Sequence, residues 1–225
     1  VLLDMVVRSV VFAVVLGVLL FWPAGTLAWP QAWIFIVLFV GWGLGMGVWL
    51  LKADPGLLAA RMQSPLSKEQ KPTDRAVMAA IFVVFLGWLV LMALDARRFG
   101  WSSTPAWAQV LGALLVNGAF VGWVSVLRAN SFAATTIAVQ KERGQSVIST
   151  GPYAIVRHPM YACFLPLMIG AALLLGSLWG LLVILLFVPL LAARIAGEET
   201  VLLEGLPGYP EYVAKVRFRL VPGIW

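Results

Sequence analysis

The sequence predicts an all-α fold, a polytopic integral membrane helical bundle of about six spans whose last two form a tight hairpin. Three observations predict it. Of the 225 residues, 62% are apolar and 12% charged, whereas soluble domains carry about 25% charged residues. The apolar residues fall in runs of sixteen or more, close to the length that crosses a bilayer. Lysines and arginines divide unevenly between the two sides that these runs define.

Val6 to Trp22 is the first span. With Arg8 near its start and Thr26-Leu27-Ala28 after it, it also has the outline of a signal peptide, but its apolar run is long and its cleavage signature weak. Trp29 to Leu51 is the second, and its run Gly41-Trp42-Gly43-Leu44-Gly45-Met46-Gly47 predicts close helix packing through overlapping GxxxG pairs, not a nucleotide loop, since no strand precedes it. Asp54 to Met62 has the punctuation of a short interfacial helix, or of a solvated linker. Ala76 to Leu94, Pro105 to Leu127, Met160 to Leu175 and Leu178 to Ile195 complete the set, and only Gly176 and Ser177 separate the last two. A connection that short forces antiparallel neighbours. With six spans, fourteen Lys and Arg, Arg61, Lys68 and Arg194 among them, fall on one side and only Arg97 and Arg98 on the other, which places both termini in the cytoplasm, as in a bacterial inner membrane. Most of the eleven tryptophans lie near span ends, where an interfacial belt would account for them.

Residues 1–128 are thus expected to form lipid-facing helices around a cavity, and 129–225 the functional core. The net charge of +6 reflects topology and lipid headgroups; it does not point to nucleic acid. One cysteine, Cys163, excludes a disulfide framework and a CxxC metal site, and no metal is expected.

Polar residues are costly in a membrane, so their concentration in the last hundred positions marks the chemistry. A long polar stretch from Ala129 runs into Arg157-His158-Pro159-Met160-Tyr161 at the mouth of the fifth span. Pro159 suits the first helical turn, and such a helix start would aim free amides and a positive dipole end at an anion beside Arg157 and His158. The plainer reading is a lipid-anchoring Arg157 and a capping His158. Near the end of the sixth span, Arg194 and Glu198 share a helix face and Glu199 points about a quarter-turn away. A hairpin brings these two clusters to one cytoplasmic mouth. Helix amides, arginines, carboxylates and tyrosines there suit S-adenosyl-L-methionine and an amphiphilic substrate, although NADPH or a lipid headgroup could use the same groups.

Val139-Gln140-x-Glu142, Gly151-Pro152-Tyr153, Arg157-His158-Pro159-Met160-Tyr161, Glu198-Glu199 and the ending Gly208-Tyr209-Pro210-Glu211-Tyr212 with Arg219-x-x-Pro222 occur in this order. The ordered set resembles the isoprenylcysteine carboxyl methyltransferases and their bacterial relatives, which are themselves similar to phospholipid N-methyltransferases, over roughly residues 130 to 225. The resemblance implies methyl transfer from S-adenosyl-L-methionine in a helical membrane protein. It implies a cofactor pocket lined by Gln140, Gln145, Ser146, Val147, Ile148, Tyr153, His158, Pro159, Met160, Tyr161 and Glu198. It implies Arg194 as the catalytic and substrate-binding residue, with Tyr212, Arg217 and Arg219 closing the pocket. The polar stretch between Gln140 and Gln145 is shorter here than in eukaryotic members.

A carboxylate acceptor is already ionised and needs no general base, which suits a chain with one histidine and no evident catalytic lysine. Arg194 would then grip an anionic head on an isoprenoid or other lipid. An NADPH-dependent sterol-reductase type of enzyme and a phospholipid or amine N-methyltransferase are the alternatives. A non-catalytic transporter or scaffold fits less well, because the sequence has no internal repeat and no charge deep in a span.

Overall fold

The computed structural model describes residues 2–64, 66 and 70–225; Lys68, counted above, lies outside the described residues. The helices are α1 (Leu2–Ala24), α2 (Pro30–Ala53), α3 (Pro55–Arg61), α4 (Pro72–Ala93, continued by a π-helical turn Leu94–Phe99), α5 (Ala106–Ala129), α6 (Pro159–Leu175), α7 (Leu178–Gly205) and α8 (Tyr209–Lys215). Two 3-10 turns, Lys141–Arg143 and Gly151–Ala154, punctuate the long connection from α5 to α6, and no strand occurs among the described residues.

Five helices, α1, α2, α4 with its continuation, α5 and α7, are long and apolar enough to cross a membrane. The sixth apolar helix, α6, has 17 residues, about 26 Å of helical rise against the ~30 Å of a hydrocarbon core.

Proline opens α2, α3, α4 and α6, where its missing N–H is not needed and its fixed φ suits the first turn. At the end of α6, Gly176 takes a left-handed φ of 88°. Ser177 then caps α7, its hydroxyl accepting from the Gly180 amide at 2.9 Å. Beneath this turn Asp95 is wholly buried. Its Oδ2 accepts from the hydroxyls of Ser102 and Ser177, both at 2.6 Å, so a carboxylate sits at the positive end of α7.

The main core joins α1, α2, α4, α6 and α7 through Leu20, Phe35, Leu89, Met168 and Phe187. Trp22, Trp33, Trp101, Trp107, Trp179 and Trp225 are exposed, as a belt requires, but not every tryptophan is. Trp22 and Trp107 are 85% and 70% exposed, but Trp29 and Trp88 are buried in the core. Trp88 donates to the Gly180 carbonyl at 2.7 Å, Trp42 to Asn117 at 2.9 Å and Trp123 to the Met160 carbonyl at 2.9 Å. A buried indole needs such an acceptor, so these residues tie helices together.

The glycine run of α2 also departs from expectation. A methyl group built on Gly41, Gly43 or Gly45 meets nothing within 4 Å, and only Gly47 faces a neighbour, Met5. Close packing occurs instead between α5 and α6, where a Cβ on Gly170 would lie 2.7 Å from the Gly112 carbonyl oxygen and 2.9 Å from the Val116 nitrogen. These two glycines are far apart in sequence, so no local motif announces them. The Asp54–Met62 segment is a helix, not a linker: Asp54 caps α3 by accepting from the Leu57 amide at 2.8 Å, and Leu57 and Leu58 bury against Met5, Leu50 and Leu127.

Gly170→Ala is expected to force α5 and α6 apart and lower stability by about 1–3 kcal/mol, the usual range for overpacking. Gly43→Ala, in open space, should leave the melting temperature unchanged or raise it. Thermal unfolding in detergent checks both.

Candidate active site

The site is built around one buried carboxylate at the end of α7. Glu199 Oε1 accepts from Arg157 Nε at 2.7 Å, and Oε2 accepts from Arg219 Nε at 2.9 Å. His158 Nε2 lies 3.2 Å from Oε1. An ionised carboxylate can only accept, so this contact places the proton of a neutral His158 on Nε2 and leaves Nδ1 as an acceptor. Arg157 also donates from Nη1 to the carbonyls of Val216 and Arg217 at 2.9 and 3.0 Å. The amides of Arg157 and His158, which precede the helix, donate to the carbonyls of Phe218 and Arg219, each at 2.9 Å. The C-terminal segment is thereby pinned to the entry of α6, and Arg157 is a strut within the protein, not a lipid anchor.

Beside this cluster lies a pocket of about 110 Å³. Its polar wall carries Arg157, His158, Tyr161, Arg194 and Glu198; much of the remaining lining is apolar, Phe132, Ala133, Ile137, Val201 and Leu206 among it. Tyr161 bridges the polar wall, its hydroxyl donating to Glu198 Oε2 at 3.0 Å and accepting from Arg194 Nε at 3.2 Å. Glu198 Oε1 then faces His158 Nδ1 at 3.9 Å. Two acceptors stand side by side with no donor between them among the described residues.

The structure brings most of the sequence-predicted residues to this pocket. Gln145, Ser146, Val147, Ile148 and Tyr153 line it from the connection, His158, Pro159, Met160 and Tyr161 from the start of α6, Arg194 and Glu198 from α7, and Tyr212 from α8. Gln140 does not line it. Its amide donates to the Phe132 carbonyl at 2.7 Å and its oxygen accepts from Arg143, so it shapes the connection from outside. Arg217 is exposed away from the pocket and contributes only its carbonyl to Arg157. Arg219 closes the ion cluster, not the pocket.

Asp74, in the first turn of α4, is the residue that the sequence conceals. Arg194 donates to Asp74 through Nη1 and to the Thr135 carbonyl through Nη2 at 2.8 Å. An acidic residue in a helix's first turn looks like ordinary dipole compensation, and nothing in its neighbours points 120 positions ahead. Arg61, at the end of α3, is a second such residue; it donates to the Ala133 carbonyl at 2.9 Å. Tyr209 lines the pocket with a buried hydroxyl that has no partner.

Burial pushes the Tyr153 hydroxyl up from 10.0 to about 12, partly offset by the hydrogen bond from Asn130 at 2.9 Å. Burial raises Tyr209 and Tyr212 as well.

Residues 107–206, from α5 to the end of α7, match the family model described as phospholipid methyltransferase. No curated protein matches the chain. The helical architecture, with five helices able to cross a membrane, and the matched segment together fit a membrane methyltransferase. All of the polar wall lies within the match, whereas Arg61, Asp74, Tyr209 and Arg219 lie outside it.

Glu199→Gln should leave Arg157, whose side chain is 5% exposed, without its counter-charge, at a cost of about 3–5 kcal/mol for a broken buried pair. A lower melting temperature with faster proteolysis of residues 206–225 would show it. A tyrosine whose folded pKa is raised favours the folded state below its unfolded value and loses that advantage above it. Stability should therefore hold to about pH 10 and fall toward pH 12, and Tyr153→Phe should reduce the fall in a pH series of thermal melts.

Proposed function

We propose that this chain methylates an anionic head, a carboxylate in the first instance, on an isoprenoid or other lipophilic acceptor, using S-adenosyl-L-methionine. The reading places both termini in the cytoplasm and takes α6 and α7 as the last two of six crossings, with the pocket opening at the cytoplasmic membrane face. The observation that carries it is the pair of unsatisfied acceptors, Glu198 Oε1 and His158 Nδ1. A cofactor with an ammonium group and a ribose diol supplies the missing donors, and the apolar surfaces from Val147 and Ile148 to Leu206 suit a planar base. When bound, S-adenosylmethionine supplies an electrophilic methyl group on a sulfonium.

The chain's own contribution is position and exclusion of water. Glu198 and His158 hold donors of the cofactor. Tyr161 keeps Glu198 and Arg194 at fixed separation. Arg194 offers its remaining N–H groups to the acceptor head, and its orientation is fixed by Asp74, Thr135 and Tyr161. A carboxylate acceptor arrives ionised, so no proton must be removed.

One observation favours a second acceptor class. Asp74 already balances the charge of Arg194, and the family match is to phospholipid methyltransferases. An amine headgroup is the acceptor that this combination would suit.

The test is calorimetric binding of S-adenosylmethionine and S-adenosylhomocysteine to detergent-purified protein. Binding that weakens at least tenfold in Glu198→Ala and in His158→Ala supports the site; an intact, folded protein that binds neither ligand but binds NADPH overturns it. Tritiated methyl transfer into N-acetyl-S-farnesylcysteine or phosphatidylethanolamine separates the two acceptor classes, because a methyl ester releases its label in base and a methylamine does not. Arg194→Lys should lose most transfer while keeping cofactor binding.

A further inference from the structure

The arginines lining the polar wall of the pocket are balanced within the protein. Arg157 faces Glu199 at 2.7 Å and Arg194 faces Asp74. In Arg194, Nε has Tyr161, Nη1 has Asp74 and Nη2 has Thr135, which leaves one N–H on each terminal nitrogen to orient a head but a charge already balanced by Asp74. Uncompensated positive charge for an anionic head has to come from another cation.

Arg61 has the required features. It donates from Nη1 alone, to the Ala133 carbonyl at 2.9 Å and the Met160 sulfur at 3.5 Å, and no carboxylate lies within salt-bridge distance of it among the described residues. Its Nε and Nη2 have no partner among the described residues either. Both of its partners line the pocket. α3 holds it there from both ends, through Arg61 itself and through Asp54, 3.8 Å from Arg143 in the connection. Partial burial depresses its pKa from the ordinary value. A half-buried guanidinium without a counter-ion among the described residues, beside apolar side chains, is costly unless an anion arrives.

We infer that Arg61 receives the anionic group, carboxylate or phosphate, of an amphiphile whose head enters the pocket past Met160. The inference rests on the proposed methyltransferase reading for the identity of that amphiphile as the acceptor. It holds for both acceptor classes, since a phospholipid amine carries a phosphate beside its nitrogen.

Palmitate, lysophosphatidate, palmitamide and inorganic phosphate are titrated by calorimetry into the full-length protein in dodecylmaltoside, with and without S-adenosylhomocysteine. Palmitate and lysophosphatidate should bind at least tenfold more tightly than palmitamide. Arg61→Gln should abolish that preference, Arg61→Lys should keep part of it, and inorganic phosphate, lacking a chain, should bind weakly to all forms. Palmitamide binding as tightly as palmitate, or an unchanged preference in Arg61→Gln, overturns the inference. Tight binding of inorganic phosphate alone also overturns it, because the occupant would be a free anion and not an amphiphile. Should Arg61→Gln lose its fold, Arg61→Lys carries the decision, with a full wild-type preference counting against a guanidinium fork. S-adenosylhomocysteine binding in the same samples reads the methyltransferase proposal separately: its absence in the wild type sinks that reading and leaves the anion result standing.

Discussion

Glu199 brings two arginines and a histidine from distant parts of the chain to a single carboxylate. Arg157 and His158 come from the end of the long polar connection, and Arg219 comes from beyond α8. Each would be expensive to bury alone at the edge of a membrane, and together with Glu199 they form a satisfied set. The arrangement fixes where α6 begins, since the residues just before Pro159 are those held. It also determines that Glu198, one position earlier on the same helix, turns toward the pocket and not toward the cluster.

The pocket inherits its chemistry from this division of labour between adjacent glutamates. Glu199 is consumed by structure and Glu198 is left with one oxygen unsatisfied, as is the inner nitrogen of His158. Tyr161 relates the α7 side of the wall to Arg194, and Arg194 relates it in turn to Asp74 on α4. The polar wall is thus one hydrogen-bonded sequence of groups running from α4 through α7 to α6, and in a low-dielectric setting such a sequence is stiffer than its separate pairs.

The parts of this molecule legible in the sequence are those written in short-range patterns. Apolar run length places the five long helices, and N1 prolines place several helix starts within a few residues. The ordered polar motifs and the residues they imply place about half of the pocket lining, and the largely apolar stretch from Phe132 to Ala138 lies outside them. What was not legible depends on partners far apart in the chain. Gly112 and Gly170 approach because two helices cross there, while the conspicuous glycines of α2 face nothing. Asp74 carries no local mark of its tie to Arg194. Gln140 sits in a motif that points to the pocket, yet a two-sided hydrogen bond with Phe132 and Arg143 turns it outward. Trp29 lies at a predicted span end and Trp88 well inside one, and hydropathy cannot tell an interfacial ring from one inside the bundle.

The hydrogen bonds from the amides of Arg157 and His158 to the carbonyls of Phe218 and Arg219 bear on biosynthesis. Every helix able to cross the membrane among the described residues precedes residue 206, so all of them are synthesised before those carbonyls are made. The membrane part of the molecule is therefore synthesised with its cationic cluster incomplete, Arg157 and Glu199 waiting for Arg219. The ion cluster is completed only as the segment around Arg219 folds back on it, so the support beneath Glu198 and His158 is set after the helices that carry them have been made.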